Sequence, residues 1–356
     1  MADPSIPEQL VAAVIANFPD HKAGTRPIHT IGIGVKGHFI AAKLAREYCT
    51  AAHFQGEQVD VTVRFSNGSG SPVQHDGWSD VRGMAVRFHL ASGMATDLIA
   101  MTLREFFSPT VADFLAFTKA SNMQPVTRQS PWKKIGDMLH LKPPLPDPMP
   151  GQTMSNAPGA LAYANRSRPA QLAVFDAGSI GAPVSYLRAT YSAVHTFVVV
   201  APDGTRRQVR FQWQPVMGTE TTDPNPDDKP CDDYLQGRLR QSLGYWPVQF
   251  LLLMTIGETG DAFDDPTTPW LPKRVRVVLG TLTLAEVAND QDADCEKISF
   301  NPCRVTPGLE LSDDPILAAR KDSYEVSRIQ RGGTACPFDH SVHTGALARR
   351  PPPWLI

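Results

Sequence analysis

Seven short segments of alternating polarity constrain the fold of this chain most. They are VDVTVRFS (59–66), RGMAVRFHL (82–90), TDLIAMTL (96–103), VHTFVVVAP (194–202), RRQVRFQWQP (206–215), VQFLLLMTIG (248–257) and RVRVVLGTLTL (274–284). A period of two, rich in β-branched residues, marks half-buried strands. Seven such strands are enough for an antiparallel barrel near the eight-strand size. Those before residue 104 and those after 193 are too few to close separately. The expectation is an α+β fold over 1–356: one eight-stranded antiparallel β-barrel with surrounding helices. Its core spans about 55–285, and the middle of the chain wraps between the barrel halves.

Helical signals flank the strands. Ser5 can cap a first helix whose stripe is Leu10, Val11, Val14 and Ile15. A loop with Gly24, Arg26, Pro27, His29, Gly32 and Gly34 follows, and then a second helical stretch near Ala41–Cys49. Residues 109–121 carry a helical period, and 141–150 form a proline-rich surface connection. Ser312, followed by Asp313, Asp314 and Pro315, reads as the N-cap of a helix over 312–331. The tail 332–356 is loop-like. The acidic residues Asp261, Asp264 and Asp265 read as a turn between strands.

Composition excludes some function classes. A net charge of −2 argues against a polyanion binder. No run approaches 18 apolar residues, so no membrane span is expected. The N-terminal segment lacks a basic start and a cleavable apolar stretch. Five scattered cysteines suggest reduced thiols and a cytoplasmic protein. The HxxH pair His340/His343 lacks acidic partners, and Cys336-Pro337 lies past the last helix, so neither reads as a metal site.

Arg320 and Tyr324 carry the strongest chemical signal. They stand four residues apart in LAARKDSYEVSRIQR, so both emerge on one helix face. A free phenol ionises near pH 10, and a nearby guanidinium favours the phenolate. The pair can therefore present an anionic oxygen to ferric iron.

Several blocks, in order, make the chain resemble the haem catalase superfamily, and in particular its small catalase-related peroxidases. They are RPIHTIGIGVKGHF (26–39), VTVRFSNGSG (61–70) with SDVRGMAVRF (79–88), DLIAMTLREFF (97–107), DAFDDPTTPW (261–270) with KRVRVVLGTLTL (273–284), and the segment from Ile298 to Arg331. The likeness covers roughly residues 20–333, and the chain is short beside full-length catalases. It implies a b-type haem (heme b) in a barrel-based pocket, its iron held by Tyr324 with Arg320 beside it. His29 would be the acid–base above the iron, its ring fixed by Ser66, with Phe114 over the cofactor. Arg26, Arg64 and Arg331 would hold the two propionates, with Arg82 and Arg328 as further neighbours.

Met101 departs from the family pattern, which has an asparagine that orients peroxide. In a strand, Met101 and Thr102 point opposite ways, and a one-residue slip would present Thr102 instead. An apolar thioether suits an organic hydroperoxide better than hydrogen peroxide dismutation. The resemblance thus implies a haem peroxidase that takes organic hydroperoxides and hydrogen peroxide, uses an organic reductant and has weak catalase activity. A homodimer is expected, without nucleic acid. A fatty-acid hydroperoxide isomerase of the allene oxide synthase type and a haem carrier or sensor stay open as alternatives.

Overall fold

The computed structural model describes residues 3–91, 93–140, 142, 145, 147–148, 152–222 and 233–332. The tail beyond residue 332 and most of the proline-rich connection at 141–150 lie outside the described residues, and so do Cys231 and Cys336.

Ten strands form the main sheet: β1 (Gly32–Ala41), β2 (Gln58–Asn67), β3 (Arg82–His89), β4 (Ala95–Met101), β5 (Tyr191–Ser192), β6 (Phe197–Val200), β7 (Arg206–Pro215), β8 (Val248–Ile256), β9 (Arg276–Val287) and β10 (Leu309–Leu311). β1 to β4 form an antiparallel meander, and β5 and β6 pair in succession with one edge of β7. β8 pairs with both β7 and β9, and β9 returns to β1, so the ring closes as an eight-stranded antiparallel barrel. Alternate residues fill it. Val63 and Phe65 of β2, Val86 and Phe88 of β3, Trp213 of β7, and Phe250 and Leu252 of β8 are fully or almost fully buried in one cluster. Burial of each such side chain contributes roughly 1.5–3 kcal/mol, and the Phe39, Phe88 and Trp213 rings add edge-on contacts at 5.4–6.1 Å.

The barrel begins earlier than the 55–285 span read from sequence. The GIGVKGHFIA stretch is strand β1, not a loop entering a helix, and only a single turn at Ala45–Tyr48 is helical. Glycines dilute the strand signal there, and packing requires them. At Gly37, beside a register shift against β9, a Cβ would stand 2.1 Å from the Thr283 carbonyl oxygen.

The longer helices are α1 (Ile6–Ala16), α2 (Val111–Ala120), α3 (Pro131–Leu139), α4 (Ala157–Ala164), α5 (Arg168–Ser179), α6 (Tyr234–Tyr245) and α7 (Pro315–Gln330). Ser5 caps α1 in a capping box with Glu8, as its sequence suggests. The cap of α7 is Asp314 rather than Ser312. The Asp314 carboxylate accepts the backbone N–H groups of Ile316 and Leu317. Sequence reading missed α6, which buries Leu235, Leu239 and Leu243 against the barrel core. Asp261, Asp264 and Asp265 do form a turn, where Asp261 pairs with Arg274 and Asp265 holds Thr267 and Thr268.

Candidate active site

A cavity of about 1570 Å³ lies against the outer face of β2, β3 and β4, under α1, α2, α4, α5 and α7. Strand alternation builds its wall. Val63 and Phe65 point into the barrel, so Arg64 and Ser66 face the other way. Arg64 is therefore not an inward barrel residue. On β4, Leu98 and Ala100 join the barrel core while Ile99 and Met101 line the cavity. Thr102 instead turns its hydroxyl to accept the Arg82 N–H at 3.0 Å. Arg26, His29, Arg64, Ser66, Met101, Phe114, Arg320, Tyr324 and Arg331 all line this one cavity.

His29 is held by its own strain and by the strand beneath it. Among the described residues it is the sole non-glycine with positive φ, at 60°. That conformation is uncommon and persists only when its surroundings over-determine it. Here the His29 N–H donates to the Gly68 carbonyl at 3.3 Å, and the Arg64 Nη1 donates to the His29 carbonyl at 2.9 Å. The ring Nδ1 lies 2.8 Å from the Asn67 carbonyl oxygen and 3.0 Å from Ser66 Oγ. A carbonyl only accepts, so Nδ1 carries the proton and Nε2 of the neutral ring keeps a lone pair. Burial, reinforced by Arg64 and opposed by Asp80, pulls His29 down to about 4. The ring is then a neutral proton acceptor across the physiological range.

The three arginines converge on one residue, Glu296. Arg64 donates twice to Glu296, at 2.8 and 3.2 Å, and Arg26 pairs with it at 3.2 Å. Arg331 Nη1 donates to the Glu296 carbonyl at 2.6 Å, while its buried Nε has no partner. Burial and the like charges of Arg64 and Arg331 pull Arg26 down to about 9, against Glu296. Three guanidinium groups thus gather where a single carboxylate pairs with two of them, which leaves an excess of positive charge on the cavity wall. Arg82 and Arg328 do not line the cavity. Arg82 pairs with Asp80, and Arg328 with Glu325.

On the opposite wall a polar chain runs through α7. Asp314 accepts from Nδ1 of His195 at 2.6 Å, and Nε2 of His195 accepts from Arg320 Nη1 at 2.7 Å. Arg320 Nη2 donates to the Tyr324 oxygen at 2.7 Å. His195 is buried, and that burial holds its pKa below the usual histidine value despite Asp314. The neutral ring relays the compensating charge of Asp314 to Arg320, which stays a donor to Tyr324.

Comparison with known proteins decides the family. The family model described as catalase matches residues 6–145 and 161–337. The chain belongs to the catalase family. A catalase-related peroxidase of Mycolicibacterium paratuberculosis is 31% identical over 93% of this chain and 98% of its own length. A catalase-related peroxidase of Synechococcus elongatus is 27% identical over 91% of this chain and 88% of its own length. Catalase-2 of Bacillus subtilis is 27% identical over 93% of this chain, but that match spans only 49% of the longer protein. The crystal structure of a fungal catalase shares the fold at a TM-score of 0.71 and 21% identity, over 88% of this chain and 60% of that one.

Around this catalase-family cavity stand groups that sequence reading missed. His195 and Glu296 lie 125 and 232 residues from their partners Arg320 and Arg64 and carry no motif of their own. Gly83 is another. A Cβ there would stand 2.7 Å from Ser66 Oγ and 3.0 Å from the His29 ring, so this glycine makes room for the His29–Ser66 contact. Its neighbour across the ladder, Ser66, could have pointed to it.

Proposed function

We propose that the protein is a haem-dependent peroxidase that reduces organic hydroperoxides, and hydrogen peroxide, with an organic electron donor, and that its catalase turnover is weak. As a catalase-family enzyme it is an oxidoreductase acting on peroxide. The observation that carries the finer reading is Met101, a thioether on the cavity wall among Phe106, Phe107 and Phe114.

The cavity suits a b-type haem. It exceeds the roughly 300–1,000 Å³ that holds one drug-sized ligand, and it presents apolar walls with polar groups at two ends. The excess positive charge of Arg26, Arg64 and Arg331, with the orphaned Nε of Arg331, suits two carboxylates. The Tyr324 oxygen, which accepts from Arg320 Nη2 at 2.7 Å, suits ferric iron. When bound, the haem supplies the iron centre at which the peroxide O–O bond is cleaved and which the donor then re-reduces.

The chain's own residues supply the rest. His29 Nε2 takes the proton from the hydroxyl oxygen of the hydroperoxide and returns it to the oxygen that leaves as alcohol. The Asn67 carbonyl and Ser66 Oγ hold the ring in the tautomer this requires. Phe114, edge-on to Phe106 at 5.2 Å, adds an apolar surface to the same cavity. Met101 accepts an alkyl group and offers no strong hydrogen bond to orient a second hydrogen peroxide.

The test is steady-state turnover of the haem-loaded protein with an alkyl hydroperoxide, with and without an aromatic electron donor, beside oxygen release from hydrogen peroxide. Donor-dependent alcohol formation with little oxygen release is expected. Conversion of a fatty hydroperoxide without donor would favour an isomerase. Bound haem with no peroxide chemistry would leave a carrier.

A further inference from the structure

Helix α3 is amphipathic the wrong way round. Trp132, Ile135, Met138 and Leu139 recur at helical spacing on one stripe. Their exposures are 81%, 47%, 61% and 79%. Lys134 and Asp137, away from that stripe, are half-buried, and Lys134, which lines the cavity, pairs through Nζ with Asp147 at 2.6 Å. The polar face is thus turned to the protein and the apolar face to solvent. Ser130 caps the helix and Pro131 starts it, so this short segment is built to be helical where it stands.

The surroundings indicate what covers that face. Arg128, Lys133 and Lys142 are exposed around it, on a chain whose net charge is −2. The acidic groups near them are Asp137 on α3 itself and Asp147, which Arg128 approaches at 3.9 Å and Lys134 pairs with. A helix of this length is about 14 Å long. Its four side chains fall well short of the ~800 Å² per partner that a stable protein interface buries. A lipid surface sets no such threshold. A tryptophan-bearing stripe flanked by cations is the composition that inserts about 5–10 Å into a headgroup layer.

The helix also borders the cavity mouth. Arg128, Gln129 and Ser130 line the cavity beside it. From there a ladder of rings leads inward, Phe117 stacked on Phe107 at 4.3 Å and Phe107 against Phe114 at 5.8 Å.

We propose that α3 docks the protein on an anionic lipid surface and presents the cavity mouth to hydroperoxides dissolved in it. The docking rests on α3 alone. The delivery rests on the organic-hydroperoxide reading above.

The experiment is co-sedimentation of the full-length, haem-loaded protein with two kinds of vesicle, one of mixed phosphatidylglycerol and phosphatidylcholine and one of phosphatidylcholine alone. Wild type should partition to the anionic vesicles. The double variant Trp132→Ser/Leu139→Ser should lose at least about tenfold of that partition, and Lys142→Glu should weaken it at low salt, with the gap to wild type closing as salt is raised. Turnover of soluble tert-butyl hydroperoxide should be unchanged in the double variant, which also shows that it folds. Wild type that ignores both vesicles, or binds them equally with and without Trp132 and Leu139, overturns the proposal. A wild-type dimer that dissociates in the double variant would also overturn it, since a second copy would then cover the face. Vesicle binding without any organic hydroperoxide turnover would leave the docking intact and remove the functional reading instead.

Discussion

Arg320 Nη1 donates to Nε2 of His195 at 2.7 Å, and this contact joins the cavity wall to a buried carboxylate. Arg320 needs compensation because its other nitrogen is committed to Tyr324, the oxygen proposed to hold the iron. His195→Leu would strand the Arg320 donor and the Asp314 acceptor together. A buried group left unpaired costs about 1–3 kcal/mol. Thermal unfolding should therefore show a clear loss, and the optical spectrum of the haem-loaded variant should shift although Tyr324 is intact. An unchanged spectrum would mean that the chain ending in Asp314 only supports the helix start.

Tyr324→Phe removes the oxygen and keeps the ring. The ferric haem spectrum of the wild type should be lost or replaced, with weakened retention of haem on dilution. The paired variant His29→Phe should retain haem, since that ring sits on β2's side of the cavity and not on α7. Equal spectra in wild type and Tyr324→Phe would move the iron ligand elsewhere.

His29→Gln should lower peroxide turnover by about 10²–10⁴-fold, the usual worth of a positioned acid–base. The pH profile is the sharper check. The folded ring titrates at about 4, against about 6.5 in an unfolded chain. The acid limb of kcat/KM should thus fall near pH 4, not near 6.5. The same difference has a consequence for stability. Between those values the unfolded chain binds a proton that the fold refuses, so this contribution is complete above about 6.5 and is lost as pH falls towards 4. His29→Gln should flatten that part of the pH–stability curve.

The barrel and the two facing walls of the cavity were legible because both rest on local periodicity. Alternation placed Arg64 and Ser66 together, and one helical turn placed Arg320 under Tyr324. Strand β1 escaped because glycines at 32, 34 and 37 satisfy close packing that only the folded partners impose. At Gly32 a Cβ would stand 2.5 Å from the Arg64 guanidinium. His195 and Glu296 escaped for another reason. Their partners lie more than a hundred residues away, at Asp314 and at Arg26 and Arg64, so the contacts exist only after the barrel closes.

Met101→Asn would place an amide where the proposed function seats an organic hydroperoxide's alkyl group. A hydrogen bond of about 1.4 kcal/mol in the transition state is a factor of ten. Oxygen release from hydrogen peroxide should rise about tenfold, and alkyl hydroperoxide turnover should fall. If neither rate moves, the thioether merely fills space and the preference lies elsewhere in the cavity.

Glu296→Gln tests how the arginine cluster is balanced. Burial alone would raise the Glu296 carboxyl, but Arg64 and Arg26 overcome it and hold the group below its usual value. Its folded pKa is thus depressed, so its contribution is present above the unfolded carboxylate range and is lost as pH falls through the folded value. The stability gap between wild type and Glu296→Gln should be wide at neutral pH and should close on acidification. Without the carboxylate, the guanidinium groups of Arg26, Arg64 and Arg331 face one another unscreened. The haem-free variant should then be the less stable protein, and haem should raise its Tm by more than it raises that of wild type, because two propionates would supply the missing negative charge. An equal rise in both would show that the cofactor's carboxylates do not reach these arginines.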